Sequence, residues 1–274
     1  MGNVLENSLF FQDPEKFRDL SEKVIQFNST YNGNNIIQDD IFSVLVNYAR
    51  KNGEELGVFR FPTEDADFCA LTCVKKGNIY VYVNSYLPLA NQIFAAAHEL
   101  YHIWCFIDEQ DESVLRKGSL LNSASMDEEV KSREDQEANA FAGLLLVPSL
   151  ALLEQMKIYA IAQNKQSIED VILLMAIFAV PYKAMLLRLH EEGYMDAETV
   201  HEFLKVESEV LQKAIAYEPG AARWYKRTPE IVQMANLRQL LDQNQEYELV
   251  SDSRAESDER IFAEILKSYK NKRG

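Results

Sequence analysis

Two histidines four residues apart, set in a stretch with almost no other polar residue, constrain this chain more than anything else in it. The segment reads Ile93-Phe94-Ala95-Ala96-Ala97-His98-Glu99-Leu100-Tyr101-His102-Ile103-Trp104. A helix apolar on nearly every side is a buried helix. On a helix, residues i and i+4 share a face, with Cβ atoms about 5–6 Å apart. His98 and His102 therefore stand together inside the protein, and Glu99 sits about 100° further round the helix. Imidazoles and a carboxylate placed there need partners. The rest of the fold must supply them.

Two imidazoles at this spacing can reach one zinc ion at about 2.0–2.1 Å. The carboxylate beside the first can reach a water on that ion, which is the pattern of metal-assisted peptide hydrolysis. The chain has only four histidines, His98, His102, His190 and His201. Residue frequencies put an accidental His-Glu-x-x-His in roughly 1% or fewer chains of this length. A surface helix with unrelated histidines does not fit the apolar flanks. His98 and His102 are thus expected to be metal ligands, Glu99 the catalytic acid/base, and Zn2+ the cofactor.

A catalytic zinc usually has three protein ligands and a water. No third histidine follows at short spacing, so a carboxylate from a neighbouring helix is expected. Residues Ser132 to Ala142 offer Glu134, Asp135 and Glu137. Val130, Ala138, Phe141 and Leu145 define an apolar stripe at helical period. Glu134 and Glu137 project onto that stripe and Asp135 does not. An unpaired carboxylate there is costly, so a buried cation is its natural partner. Periodicity leaves Glu134 and Glu137 open.

Elsewhere the chain reads as helices and a small sheet. Helical spacing covers about Asp13–Asn28 and Ile36–Asn52, broken by Asn32-Gly33-Asn34-Asn35. Strands follow at Leu56–Phe61, Phe68–Lys75 and Ile79–Asn84, and their short connections predict a three-stranded antiparallel meander. A helix from about Pro88 to Phe106 carries the histidines. An acidic loop is expected from Asp108 to Met126, then helices from Asp127 to Val147 and from Ser149 to Gln163. Residues 161–200 read as a helical hairpin about Val180-Pro181, in outline a helix-turn-helix. Its second helix carries Lys183 and Arg188 but runs into Glu191 and Glu192, a poor charge pattern for reading DNA. Residues 201–274 form a charged helical extension of no evident role.

Net charge is −15 across 274 residues. That field disfavours nucleic acid and favours a basic protein partner or simple solubility. Cys69, Cys73 and Cys105 provide no disulfide framework and read as buried thiols of a reducing compartment. The start Met1 to Glu6 does not read as a signal peptide, and Glu6 stands where myristoylation wants Ser or Thr. The longest apolar run, Val171 to Val180, is too short to span a bilayer. A cytoplasmic protein with no membrane contact is expected.

The motif with its flanks, Phe94 to His102, together with Glu137-Ala138-Asn139-Ala140-Phe141-Ala142 and Leu144-Leu145-Leu146-Val147-Pro148, resembles the ImmA/IrrE family of bacterial metallopeptidases. So do the strand ending at Val83-Asn84 and the hairpin from Phe178 to Leu189. The resemblance covers about residues 75–195. It implies an α+β, mostly helical fold: a zincin-like core with the small sheet and active-site helix in residues 1–160, then the helix-turn-helix-like region. It implies Glu137 as third ligand. Tyr101 departs from the family, which often has Gly there.

The expected activity is a zinc-dependent endopeptidase. Glu99 would deprotonate the zinc-bound water and then protonate the leaving amine. Tyr101 and His190 are candidate oxyanion donors, and Asn139 is a candidate to orient an imidazole. The Ile79–Asn84 strand is a candidate edge for an extended substrate. By resemblance, the substrate would be a regulatory protein such as a DNA-binding helix-turn-helix repressor, cut at one site. The alternatives are a non-catalytic zinc protein that titrates such a repressor, and a toxin-like component held by an antitoxin partner.

Overall fold

The computed structural model describes residues 4–32, 36–65, 67–108, 119–122 and 132–271. Helices α1 (Leu9–Gln12), α2 (Pro14–Tyr31) and α3 (Ile41–Lys51) lead into strands β1 (Leu56–Phe61), β2 (Phe68–Lys75) and β3 (Asn78–Asn84). Next come α4 (Leu89–Asp108), β4 (Ser119–Asn122), α5 (Arg133–Leu146) and α6 (Ser149–Ile158). The chain continues through α7 (Ile168–Phe178), α8 (Tyr182–Glu191), α9 (Ala197–Leu204), α10 (Ser208–Tyr217) and α11 (Ala222–Tyr225). It closes with β5 (Gln233–Met234), α12 (Leu237–Glu246) and α13 (Asp252–Asn271). The fold is α+β and mostly helical, as the sequence predicts.

Local chemistry sets the elements that matter. In α2, Asp13 caps the helix by accepting from Lys16 N, Pro14 occupies the first turn, and Phe17, Leu20, Val24 and Phe27 form the buried stripe. In α3 the stripe is Ile41, Val44, Leu45 and Tyr48. Helix α4 is buried on several sides: Ile93, Ala95, Ala96, Ala97, Leu100 and Ile103 are fully enclosed. Ser132 caps α5 by accepting from Asp135 N, and Pro148 ends the helix two residues past Leu146.

The sheet differs from the expected meander. It is mixed and five-stranded, in the order β4-β2-β3-β1-β5. β2 and β3 form the predicted hairpin, turning at Lys76 and Gly77, both with positive φ (53° and 82°). β1, however, pairs in parallel with β3, from Leu56↔Ile79 to Phe61↔Asn84. The connection from β1 to β2 therefore crosses the end of β3. Asn84 holds it there. Its amide nitrogen lies 2.9–3.0 Å from the carbonyl oxygens of Thr63, Asp65 and Phe68. Its Oδ1 accepts from Thr63 N at 2.9 Å and Tyr86 N at 3.0 Å. A six-residue link can span two strand spacings of about 4.8 Å, and the buried amide fixes its path. Consequently β3 is internal. It is not an edge that a substrate could join.

The predicted acidic loop contains β4, which pairs antiparallel with β2; its other residues between 109 and 131 lie outside those described, as does Val130. The C-terminal segment is no detached extension. β5 pairs antiparallel with β1, and Ala235 N donates to Val58 O at 2.8 Å. Gly57 permits this approach, because a Cβ there would come within 3.1 Å of the Ala235 methyl. Gln92 on α4 accepts from Arg60 at 2.7 Å and donates to Leu87 O at 2.7 Å and Thr228 Oγ1 at 2.8 Å. Ser85 Oγ donates to Ile231 O at 2.7 Å. Residues 228–235 thus brace the sheet and the first turn of α4.

The hairpin of α7 and α8 bends by 101°, an angle seen in helix-turn-helix units. Its Arg188 does not face solvent. It is 1% exposed, paired with Glu191 at 2.6 Å and Glu192 at 2.5 Å, and donates to Val147 O at 3.2 Å. Among the described residues no single helix is long and apolar enough to cross a membrane. Cys69 and Cys105 are buried and Cys73 partly so, and none of the three is in a disulfide.

Candidate metal centre

Helices α4 and α5 pack against each other, and α4 places His98, Glu99 and His102 in the interior. All three are essentially inaccessible. The two imidazoles turn the same edge inward, with Nε2 atoms 3.1 Å apart. Burial pushes the His98 pKa down to about 4, and burial followed by the His98 neighbour pushes that of His102 to about 3. Both rings are neutral at physiological pH, the form that donates a lone pair to a metal. His98 Nδ1 lies 2.9 Å from Asn139 Oδ1 on α5. An amide oxygen only accepts, so Nδ1 carries the proton and Nε2 the lone pair. His102 Nδ1 is buried with no hydrogen-bond partner among the described residues.

The carboxylate that meets the histidines is Asp135, in the first turn of α5. Its Oδ1 is 3.9 Å from His98 Nε2. Among the described residues, His98, His102 and Asp135 are the group whose ligand atoms all lie within 4.8 Å of one another. The donor set fits a divalent cation. Ligand nitrogens about 2.0–2.1 Å from a tetrahedral zinc stand about 3.3 Å apart, close to the separation here. Two lone pairs aimed at one point also repel unless a proton or a cation lies between them.

Glu137, the third ligand implied by family resemblance, is engaged elsewhere. Its Oε2 accepts from the Tyr101 hydroxyl at 2.5 Å and lies 3.3 Å from Lys16 Nζ. Its Oε1 lies 3.3 Å from Arg133 Nε. Glu134 is exposed. That Asp135 rather than Glu137 faces the histidines has a physical reason. Helix α5 is enclosed on two sides, by α4 and by α2, so its residues form two buried stripes. The one seen in the sequence, through Phe141 and Leu145, is the more apolar. The other runs through Asp135, Asn139 and Ala142, with Ala138 shared between the two. Its small residues give little hydrophobic signal, yet Ala138 and Ala142 are fully buried.

The two suggested oxyanion donors are not drawn together. Tyr101 is committed to Glu137, and burial first, then Cys105 and Glu137, pushes its pKa far up. His190 Nδ1 pairs with Met195 O at 3.0 Å, at the end of α8. Asn139 does contact the His98 imidazole.

The family model described as IrrE N-terminal-like domain, Peptidase_M78, matches residues 40–189. The chain belongs to that peptidase family. The match spans more than half of the chain and includes α4, α5 and every residue of the histidine–aspartate group. It excludes α2 and β5, which here reach the site's second helix and the sheet. No curated protein matches the chain.

Proposed function

We propose that this member of the M78 peptidases is a zinc-dependent endopeptidase whose ion is held by His98, His102 and Asp135. One observation carries the reading: two buried, neutral imidazoles and a carboxylate converge within 4.8 Å. A divalent cation bound there would supply Lewis-acid polarisation of a peptide carbonyl and make a water molecule more acidic. The protein does the rest. Asn139 fixes the His98 tautomer so that Nε2 faces the shared point. Glu99, beside His98 on α4, takes a proton from the attacking water and passes it to the leaving amine. Enclosure of His98, Glu99 and His102 strengthens their electrostatic contacts.

The substrate in this reading is an extended segment of a regulatory protein, such as a helix-turn-helix repressor. Family membership and the chain's acidity support it. An extended segment could add to β4, which among the described residues has a strand neighbour on one side only. The test incubates purified protein with candidate repressors, with and without chelator, and reads intact masses. Chelator-sensitive fragments that sum to the parent plus one water support the reading. Equally fast cleavage by Glu99→Gln would show that Glu99 is not the acid/base.

A further inference from the structure

We infer that Tyr101 is a positioning residue, which through its hydrogen bond to Glu137 holds the first turn of α5, and so Asp135, against the histidine pair. The inference rests on the ligand set proposed above. Tyr101 precedes His102 on α4, and Glu137 lies between Asp135 and Asn139 on α5. Their 2.5 Å contact joins the two ligand-bearing helices directly behind the site. A second cross-helix link among the described residues is Asn139 to His98 at 2.9 Å. Two links on adjacent turns fix both the spacing and the rotation of α5 relative to α4. With Asn139 alone, the first turn could swing about that point.

Glu137 is itself held in part from outside the family match. Lys16 on α2 approaches Oε2 at 3.3 Å. Arg133 approaches Oε1 at 3.3 Å and also pairs with Asp13, the cap of α2. The phenol therefore meets a carboxylate whose position is set by two further groups, Lys16 and Arg133. The ring is packed independently of its hydroxyl, with centroids 5.6 Å from Phe141 and 5.9 Å from Trp104. Tyr101→Phe removes the link and keeps that packing.

The experiment measures zinc affinity by competition with a chromophoric chelator, the visible spectrum of the cobalt(II)-loaded protein, and the urea midpoint of the metal-free protein. Tyr101→Phe should bind zinc about tenfold more weakly, the scale of losing an outer-shell partner, with an altered cobalt spectrum. Glu137→Ala, which removes the acceptor, should weaken binding as well. The double variant should be no weaker than the weaker single one, because both remove one path. A Tyr101→Phe protein with a lower urea midpoint but parental zinc affinity and cobalt spectrum would overturn the inference, since that is a purely structural role. Additive losses in the double variant would also overturn it. Should the parent take up neither ion, the ligand set itself fails, a result visible before any variant is made.

Discussion

Asp135 Oδ1 stands 3.9 Å from His98 Nε2, bringing the first turn of one helix to the middle of another. This pairing closes a three-donor group that the histidine motif alone leaves open, and it leads to the first prediction. Asp135→Ala should abolish stoichiometric zinc uptake, because two imidazoles make an incomplete catalytic site. Glu134→Ala should bind zinc as the parent does, since Glu134 is exposed. Elemental analysis of the purified proteins checks both.

Glu99→Gln should keep zinc and the fold while losing turnover. The substitution preserves shape and removes the basic oxygen. A general acid/base contributes typically 10²–10⁴-fold, so kcat should fall by about that range. Steady-state cleavage of a substrate peptide, with zinc content measured on the same sample, separates loss of chemistry from loss of metal.

The third prediction concerns pH and the metal-free protein. The folded chain holds the imidazoles near 4 and 3 by burial, against 6.5 when exposed. Between about pH 6.5 and 4 the unfolded chain binds protons that the folded one refuses, so stability rises with pH there. Acidification from pH 7 to 4 should therefore cost on the order of a few kcal/mol through this pair. Urea midpoints of chelator-stripped protein across that window measure it. His102→Phe should flatten the slope.

Much of this architecture was readable from residue order. Apolar spacing marked α2, α3, α4 and α5, turn residues bounded β1 and β2, and alternation marked β3, because each depends on nearest neighbours along one element. Sheet order did not follow, because it depends on Asn84 gripping a loop from three carbonyls, a contact between residues up to 21 apart. β5 has only two residues, too few for any period. The burial of His98, Glu99 and His102 was legible because their flanking residues are apolar. Asp135 was not, because the small residues of its stripe hid the face that meets α4.

The buried guanidinium gives a prediction independent of the metal. Arg188 is matched to Glu191, whose own pKa burial raises and Arg188 lowers. Arg188→Ala strands a buried carboxylate and should destabilise the protein by about 3–5 kcal/mol. Arg188→Ala combined with Glu191→Leu should recover most of that. Denaturant titrations of the single and double variants decide whether the pair is structural, as its position against Val147 and Ser149 indicates.

The most direct test of the central claim is the zinc content of Asp135→Ala and Glu137→Gln proteins, purified side by side and dialysed against the same buffered zinc. The account predicts that the parent holds about one equivalent, as a catalytic site does, that Asp135→Ala holds almost none, and that Glu137→Gln still loads at saturating zinc. The opposite pattern, with zinc retained by Asp135→Ala and lost from Glu137→Gln, would contradict it.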